Sequence, residues 1–196
     1  MKTNKNSGLK LVLVADTHGA LLHDSCFAAF MQNVKEYDLC ILLGDIDYCD
    51  IEKILEIVPK EKILALRGNH DTYDLKKAFG LSNLHRKSYV YKGIRFVGFE
   101  GAFKHNKSDA PTYTQEKSQR VAKRLPKRAD VLLTHDGAYS VNAADKAHMG
   151  LMGIAQYIQK NDVKLHIHGH FHKSYSSAYC NGTAEKCVYM IEYLEI

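Results

Sequence analysis

The first half of the chain alternates short, almost wholly apolar runs with segments of helical spacing. The apolar runs are Leu9–Ala15, Leu39–Leu43 and Ile63–Leu66. A strand that is apolar at nearly every position is typical of a parallel sheet, because helices cover both faces of such a sheet. The segments between the runs, 24–36 and 51–58, carry apolar residues at three- to four-residue intervals. This βαβαβ order predicts an α/β fold with right-handed crossovers.

The second half of the chain is richer in strands. Ser88–Tyr91 and Ile94–Phe99 flank Lys92-Gly93 and predict a hairpin. The other expected elements are helices at 74–79, after Thr112 and at Leu151–Lys160, and strands at Val131–Leu133, Val163–Ile167, Tyr175–Cys180 and Lys186–Leu194. Strands at both ends of the chain favour two packed sheets with helices outside. The 196 residues are expected to form one domain, with residues 1–8 as a disordered lead.

Composition indicates the cellular location in which the protein is expected to act. No run of eighteen apolar residues is present, which argues against a membrane span. The polar N-terminus lacks the apolar stretch of a secretory signal. Five cysteines without CxxC spacing argue against a disulfide framework and a thiolate metal site. We therefore expect unpaired cysteines and a cytoplasmic location.

Part of the net charge of +5 lies in one segment between Lys117 and Arg128. Thr112 with Gln115 is expected to start a helix there through a capping box, and Pro126 to end it. A basic helix is able to contact a nucleic-acid backbone. A solvated face beside an apolar stripe is the favoured interpretation, so nucleic acid is a less favoured partner.

Five short polar motifs each follow a strand-like run. They are Asp16-Thr17-His18, Gly44-Asp45, Gly68-Asn69-His70-Asp71, Thr134-His135 and Gly169-His170-Phe171-His172. Residues two apart in an extended chain project to the same side, so Asp16 and His18 are expected to reach one metal. The carboxyl edge of an open α/β sheet is where ligands bind. Carboxylate, imidazole and carboxamide groups together suit two divalent cations of hard to borderline character.

The charge of this donor set points to a phosphate substrate. Asp16 and Asp45 bring about two negative charges against about four from two divalent ions, which leaves positive charge for a phosphate. Asp45, central in the series, is the natural bridge between metals about 3.5–4 Å apart. The chain is therefore expected to be a dinuclear metallohydrolase of phosphate esters. Outside the motifs, His166 alternates within a strand and is expected to be structural, whereas His148 is a candidate for the substrate cleft.

The ordered set of motifs resembles the calcineurin-like metallophosphoesterase family over Asp16 to His172. The resemblance implies a two-sheet αββα sandwich and two divalent ions, with manganese expected and iron, zinc, nickel or magnesium as alternatives. It implies that the first metal is held by Asp16, His18, Asp45 and His172. It implies that the second is held by Asp45, Asn69, His135 and His170, with Asp45 bridging.

The resemblance also implies a mechanism. His70 would protonate the leaving oxygen, Asp71 would orient His70, and a hydroxide between the metals would attack phosphorus in line. One position departs from the family pattern, because Tyr48 stands where many members carry Asp or Asn. The short chain resembles the small bacterial and phage-type phosphodiesterases of the family.

The expected activity is hydrolysis of a small, nucleotide-like phosphodiester. The alternatives are a phosphomonoesterase acting on protein or nucleotide, a nuclease that uses the basic helix, and a non-catalytic scaffold of the same fold. The scaffold is the least favoured, because His70 and all seven expected ligands are present. The sequence does not indicate an oligomeric state.

Overall fold

The computed structural model describes residues 8–23, 26–104, 109–143 and 145–196. The expected N-terminal lead, apart from Gly8, and the expected helix start at Asp24 lie outside these residues. The strands are β1 (Lys10–Ala15), β2 (Leu39–Leu42), β3 (Ile63–Ala65), β4 (Ser88–Tyr91), β5 (Ile94–Phe99), β6 (Ala102–Phe103), β7 (Thr112–Tyr113), β8 (Val131–Thr134), β9 (Leu165–His168), β10 (Tyr175–Ala178), β11 (Ala184–Cys187) and β12 (Met190–Glu195). The helices are α1 (Ala20–His23), α2 (Cys26–Asn33), α3 (Tyr48–Ile57), α4 (Leu75–Phe79), α5 (Gln115–Ala122) and α6 (Met152–Lys160).

Two main sheets form the centre of the fold. The first has the order β12-β1-β2-β3, in which β1, β2 and β3 are parallel and β12 runs antiparallel to β1. The second has the order β10-β11-β9-β8-β5-β4, with a parallel centre from β11 to β5. The short strands β6 and β7 pair separately.

The alternation of side chains along β1 explains why the strand is apolar throughout. Leu11 and Leu13 point into a core between the two sheets, where they pack with Phe96 and Leu133. Val12 and the other alternate residues point to the opposite face and pack against the helices of the first sheet. A strand with two buried faces needs apolar residues at successive positions.

Helices cover the outer face of each sheet. On the first sheet, α3 buries Ile51 and Ile54 in the outer core. On the second sheet, Ala122 of α5 and Ile154 of α6 enter a third core with Leu132. The layers therefore run helix, sheet, sheet, helix. This arrangement confirms the expected α/β class and the two-sheet αββα sandwich.

The end of the chain differs from the expectation of one strand over Lys186–Leu194. β11 ends at Cys187 in the second sheet, and β12 begins at Met190 in the first. Val188 between them is buried in the core between the sheets, and Met190 has a φ of 63°. An apolar run that crosses between sheets has the same residue types as one long strand, so composition alone does not reveal the break.

The start and end of the basic helix also differ from the expectation. Thr112 lies in β7, and the cap of α5 is Thr114, whose side chain accepts a hydrogen bond from Lys117 N. The Gln115 side chain bonds Gly150 O and Met152 N instead of the helix N-terminus. The helix ends at Ala122, before Pro126.

Among the described residues, no helix is long and apolar enough to cross a bilayer.

Candidate metal centre

The polar motifs lie at the carboxyl ends of five strands. Asp16 follows β1, Asp45 lies three residues beyond β2, and Asn69 lies four residues beyond β3. His135 follows β8, and His170 lies two residues beyond β9. The first three strands belong to one sheet and the other two to the second. Both sheets therefore contribute side chains to one region.

Five of these motif residues have a left-handed backbone. Their φ angles are 55° for Asp16, 46° for His18, 52° for Asp45, 70° for His170 and 49° for His172. Residues other than glycine in this region cost on the order of 1–3 kcal/mol each, and such strain clusters at functional sites. The surrounding structure therefore stabilises turns that aim these side chains at a common region.

Glycines beside the motifs allow close approach of the chain. A Cβ on Gly68 would lie 2.1 Å from Asp45 Oδ1. A Cβ on Gly169 would lie 2.6 Å from Asp16 Oδ2. Both carboxylates therefore pack directly against backbone that has no side chain.

The first group of candidate ligands consists of Asp16, His18 and His172. His172 Nε2 lies 3.2 Å from His18 Nε2 and 3.8 Å from Asp16 Oδ1. Asp16 Oδ2 accepts a hydrogen bond of 2.7 Å from His170 N. Asp16 Oδ1 is buried and has no hydrogen-bond partner among the described residues. A buried carboxylate oxygen without a donor carries a cost that a cation would remove, so these residues fit a metal ion.

The second group consists of Asp45, His135 and His170, with Asn69 beside them. His135 Nε2 lies 3.3 Å from Asp45 Oδ2 and 3.0 Å from Asn69 Oδ1. The Nδ1 of His135 donates to the carbonyl of Leu43 at 3.0 Å, which leaves Nε2 to face the site. His170 Nε2 similarly donates to a carbonyl, that of Ala147 at 3.1 Å, so its Nδ1 is the available ligand atom.

Asp45 lies between the two groups. Its Oδ2 is 4.0 Å from His18 Nε2 in the first group and 3.3 Å from His135 Nε2 in the second. Its Oδ1 accepts a hydrogen bond of 2.8 Å from His70 N. The carboxylate that the sequence marks as central is therefore central in space as well.

The electrostatic environment favours positive charge. Burial alone would lower the pKa of His135, but Asp45 and Asp16 raise it to about 10. Burial would likewise raise the pKa of Asp45, but His135 and the amide of His70 lower it. Burial and His135 together lower the pKa of His170 to about 3. Asp45 thus stays ionised, whereas burial raises the pKa of Asp16, and a bound cation would offset that cost.

His70 and Asp71 have different environments. The His70 side chain is 65% exposed, and its Nε2 lies 3.9 Å from Asp45 Oδ2. Asp71 is buried, and its Oδ2 accepts hydrogen bonds from Gly68 N at 2.7 Å and Asp45 N at 2.8 Å. Among the described residues no hydrogen bond joins Asp71 to the His70 ring. The orientation of His70 by Asp71 stays a prediction, and in this structure the Asp71 carboxylate joins the turns at Asp45 and Gly68.

A third cluster of metal-ligand residue types lies behind the site, at His166, His168 and Glu185. Both ring nitrogens of His166 contact hydroxyl groups, which agrees with the expected structural role. His168 Nδ1 donates to Gly169 O, and its Nε2 lies 3.1 Å from Glu185 Oε1. Burial would lower the pKa of His168, but Cys187 and Glu185 raise it to about 10. Every ring nitrogen has a protein partner, so this cluster is a hydrogen-bonded support for Gly169.

Several supporting residues were not recognised from the sequence. Asp50 is buried, and its Oδ2 accepts a hydrogen bond of 2.9 Å from Gly19 N, next to His18. Tyr189 stacks on His172 with ring centroids 5.5 Å apart. Neither belongs to a motif, and only a three-dimensional arrangement reveals them. His148, a candidate for the cleft, has its ring centroid 5.3 Å from that of His170.

Comparisons with known proteins agree with this arrangement. The sequence profile of the calcineurin-like phosphoesterase family matches residues 9–174. The chain is 25% identical over 202 aligned residues to an uncharacterized protein of Haemophilus influenzae, covering 85% of this chain and 84% of that protein. Among solved structures, the phosphopantetheinyl hydrolase of Mycobacterium tuberculosis superposes with a TM-score of 0.63 at 12% identity, covering 94% of this chain and 90% of that one. A dimetal phosphatase from Danio rerio superposes with a TM-score of 0.59 at 12% identity, covering 97% and 93%.

The fold and the polar motifs define a metal-dependent phosphoric ester hydrolase. The chain belongs to the calcineurin-like phosphoesterase family, because the family profile covers most of its length. The family depends on a dinuclear metal centre, and two groups of candidate ligands are present here. At 12% sequence identity, the similarity to the two solved structures shows only that the fold is shared.

Proposed function

We propose that the protein is a phosphodiesterase acting on a small, nucleotide-like ester. The main support is the position of Asp45 between two groups of ligand residues, with the exposed His70 beside it. An Asp shared by two cation sites and an accessible imidazole are the parts that metal-assisted phosphoryl transfer requires.

We propose two metal sites with the ligands inferred from the family. Asp16, His18, Asp45 and His172 would hold the first ion, and Asp45, Asn69, His135 and His170 the second. Manganese is the proposed metal, because imidazole and carboxylate ligands together suit a borderline cation better than calcium. A cytoplasmic location remains part of the proposal, because the spacing of the five cysteines is not that of a disulfide framework.

The ions, when bound, lower the pKa of water and neutralise charge on the phosphoryl oxygens. The residues of the chain position His70 and supply the proton for the departing oxygen. Asp45 Oδ1 holds the backbone of His70 through a hydrogen bond of 2.8 Å, which fixes the start of that side chain. The exposed imidazole then donates a proton from Nε2 to the departing oxygen.

The preference for diesters is supported by the charges beside His70. A cleft of about 360 Å³ is lined by His18, Asp45, Asp47, Tyr48, His70, Asp71, Thr72 and Tyr73. Among the residues that the structure describes, the lining includes three carboxylates and neither lysine nor arginine. A monoester dianion gains most from additional cationic donors such as arginine, whereas a diester monoanion needs fewer.

Metal analysis and a matched substrate pair test the proposal. Purified protein should bind about two Mn²⁺ and hydrolyse bis(4-nitrophenyl) phosphate faster than 4-nitrophenyl phosphate. Asp45→Ala should weaken both metal sites, because one carboxylate serves both, whereas Glu52→Ala on exposed α3 surface should weaken neither. Binding of less than one metal, or a clear preference for the monoester, would contradict the proposal.

A further inference from the structure

The wall of the cleft beside the candidate metal centre carries an exposed aromatic ring. Tyr48 and His70 line the same cleft of about 360 Å³. Tyr48 is 43% exposed, which is a large exposure for an aromatic side chain next to a buried polar centre. The proposed proton donor and this ring therefore face a common space.

The Tyr48 ring packs against two other aromatic rings. Its centroid lies 4.5 Å from that of Phe79 and 6.3 Å from that of Tyr73, which meets it at an interplanar angle of 88°. Tyr73 is itself fixed, because its hydroxyl donates a hydrogen bond of 2.6 Å to Ile46 O. The ring is thus held by two other aromatic rings, and 43% of Tyr48 remains exposed to another molecule.

The backbone under this platform is also fixed. Tyr48 is the first residue of α3, and Asp47 caps that helix by accepting a hydrogen bond of 3.0 Å from Cys49 N. The position of Tyr48 is therefore set by a helix and not by a loop. Little conformational entropy is lost when a ligand stacks on a ring that is already held.

The charges in the cleft restrict what binds against the ring. Bound metals would neutralise Asp45, and Asp71 bonds to backbone amides. The exposed Asp47 then remains as a negative group at the rim. An anionic group is repelled there, whereas a neutral planar group with hydroxyl or amino donors is favoured.

We propose that this cleft binds the nucleoside leaving group of the substrate, with its base stacked on Tyr48. The inference rests on the proposed phosphodiesterase activity. Because His70 protonates the leaving oxygen, the group attached to that oxygen enters the cleft that His70 shares with Tyr48. Hydrolysis breaks the phosphorus–oxygen bond to the nucleoside, water supplies the oxygen that replaces it, and the nucleoside leaves as a neutral alcohol.

Two diesters that differ only in the base test this assignment. Methyl adenosin-5′-yl phosphate and its abasic counterpart have the same reacting atoms. With Mn²⁺-loaded protein, the KM for the adenosine diester should be about tenfold lower, since stacking of a base on an aromatic side chain is worth about that much. Adenosine and methyl phosphate should be the products.

Variants of the tyrosine separate stacking from a general effect on the site. Tyr48→Ala should raise the KM for the adenosine diester about tenfold and leave the abasic diester within about twofold, and Tyr48→Phe should behave as the parent. Tyr193→Ala, which removes another exposed tyrosine from β12, should change neither substrate.

The remaining outcomes separate failure of this inference from failure of the proposed phosphodiesterase activity. Equal KM values for the two diesters, equal effects of Tyr48→Ala on both, or adenosine monophosphate and methanol as products would overturn the inference while the phosphodiesterase stands. Failure to hydrolyse either diester or bis(4-nitrophenyl) phosphate would instead refute the activity on which the inference rests.

Discussion

At the scale of single residues, the side chain of His70 is 65% exposed, against 52% for His172 and 38% for His18, and its backbone N donates a hydrogen bond to Asp45. We predict that His70→Asn keeps both metals and slows hydrolysis by roughly 10²–10⁴-fold when the leaving group needs a proton. Nitrophenolate leaves readily without one, so nitrophenyl esters should lose little. The measurement is kcat for both ester types together with metal content.

Two results would count against this role for His70. Equal losses on alkyl and nitrophenyl diesters would mean that the imidazole orders the site. Loss of a metal would mean that it is a ligand. Asp71→Ala should reduce metal affinity as well as turnover, because one oxygen of the Asp71 carboxylate accepts hydrogen bonds from the amides of Gly68 and Asp45.

Asp50 provides a second prediction at this scale, since its buried carboxylate holds Gly19 N beside His18. Asp50→Ala should weaken binding of the first metal and destabilise the fold by about 1–3 kcal/mol, because a partly buried donor loses its acceptor. Asp50→Asn keeps an oxygen acceptor and should retain most of the metal affinity. Calorimetric metal titration and urea unfolding measure the two effects. Unchanged metal affinity in Asp50→Ala would show that the turn holds without this bond.

At the scale of elements, the segment after β9 depends on close packing at Gly169. We predict that Gly169→Ala lowers metal affinity, because its Cβ would lie 2.6 Å from Asp16 Oδ2 and 2.8 Å from Ala15 Cβ. Gly93→Ala is a suitable control, since nothing lies within 4 Å of that Cβ and the strain from its φ of 84° stays in a distant hairpin. Equal metal affinity in the two variants would contradict the prediction.

The basic helix α5 and the turn that follows it carry six exposed cations: Lys117, Arg120, Lys123, Arg124, Lys127 and Arg128. Leu125 beside them is buried, as expected for a solvated helix face. We predict that changing Lys123, Arg124, Lys127 and Arg128 to glutamine leaves turnover of small diesters nearly unchanged. Nucleic-acid binding with a steep salt dependence that these changes abolish would favour the nuclease alternative instead.

Much of the architecture was predictable from the sequence because each element has its own local signal. The near-continuous apolar run of β1 and the polar motifs at strand ends were sufficient to place the sheet edge. The break before Met190 was not predictable, since it depends on how Val188 packs between sheets. Asp50 and Tyr189 were missed for a similar reason, because their roles arise only from contacts with distant turns.

At the scale of the whole molecule, the candidate centre collects side chains from both sheets, so metal binding should stabilise the entire fold. At a free metal concentration 100 times the dissociation constant, one site contributes about 2.7 kcal/mol. For a chain of this size we predict a rise in Tm of roughly 5–10 °C per site. Thermal scans with and without Mn²⁺ measure this rise, and the rise should be largely lost in Asp45→Ala. If the Tm of the parent protein did not rise at saturating metal, that result would contradict a centre shared by the two sheets.

The antiparallel pairing of the last strand with the first has a consequence for biosynthesis. Residues 10–15 leave the ribosome long before their neighbour on one side, residues 190–195. Until then one edge of the first strand lacks its native partner, and an uncovered apolar strand edge invites pairing with other chains. Newly made chains should therefore stay prone to aggregation until residues 190–195 have emerged, and the first sheet should be complete only after that point.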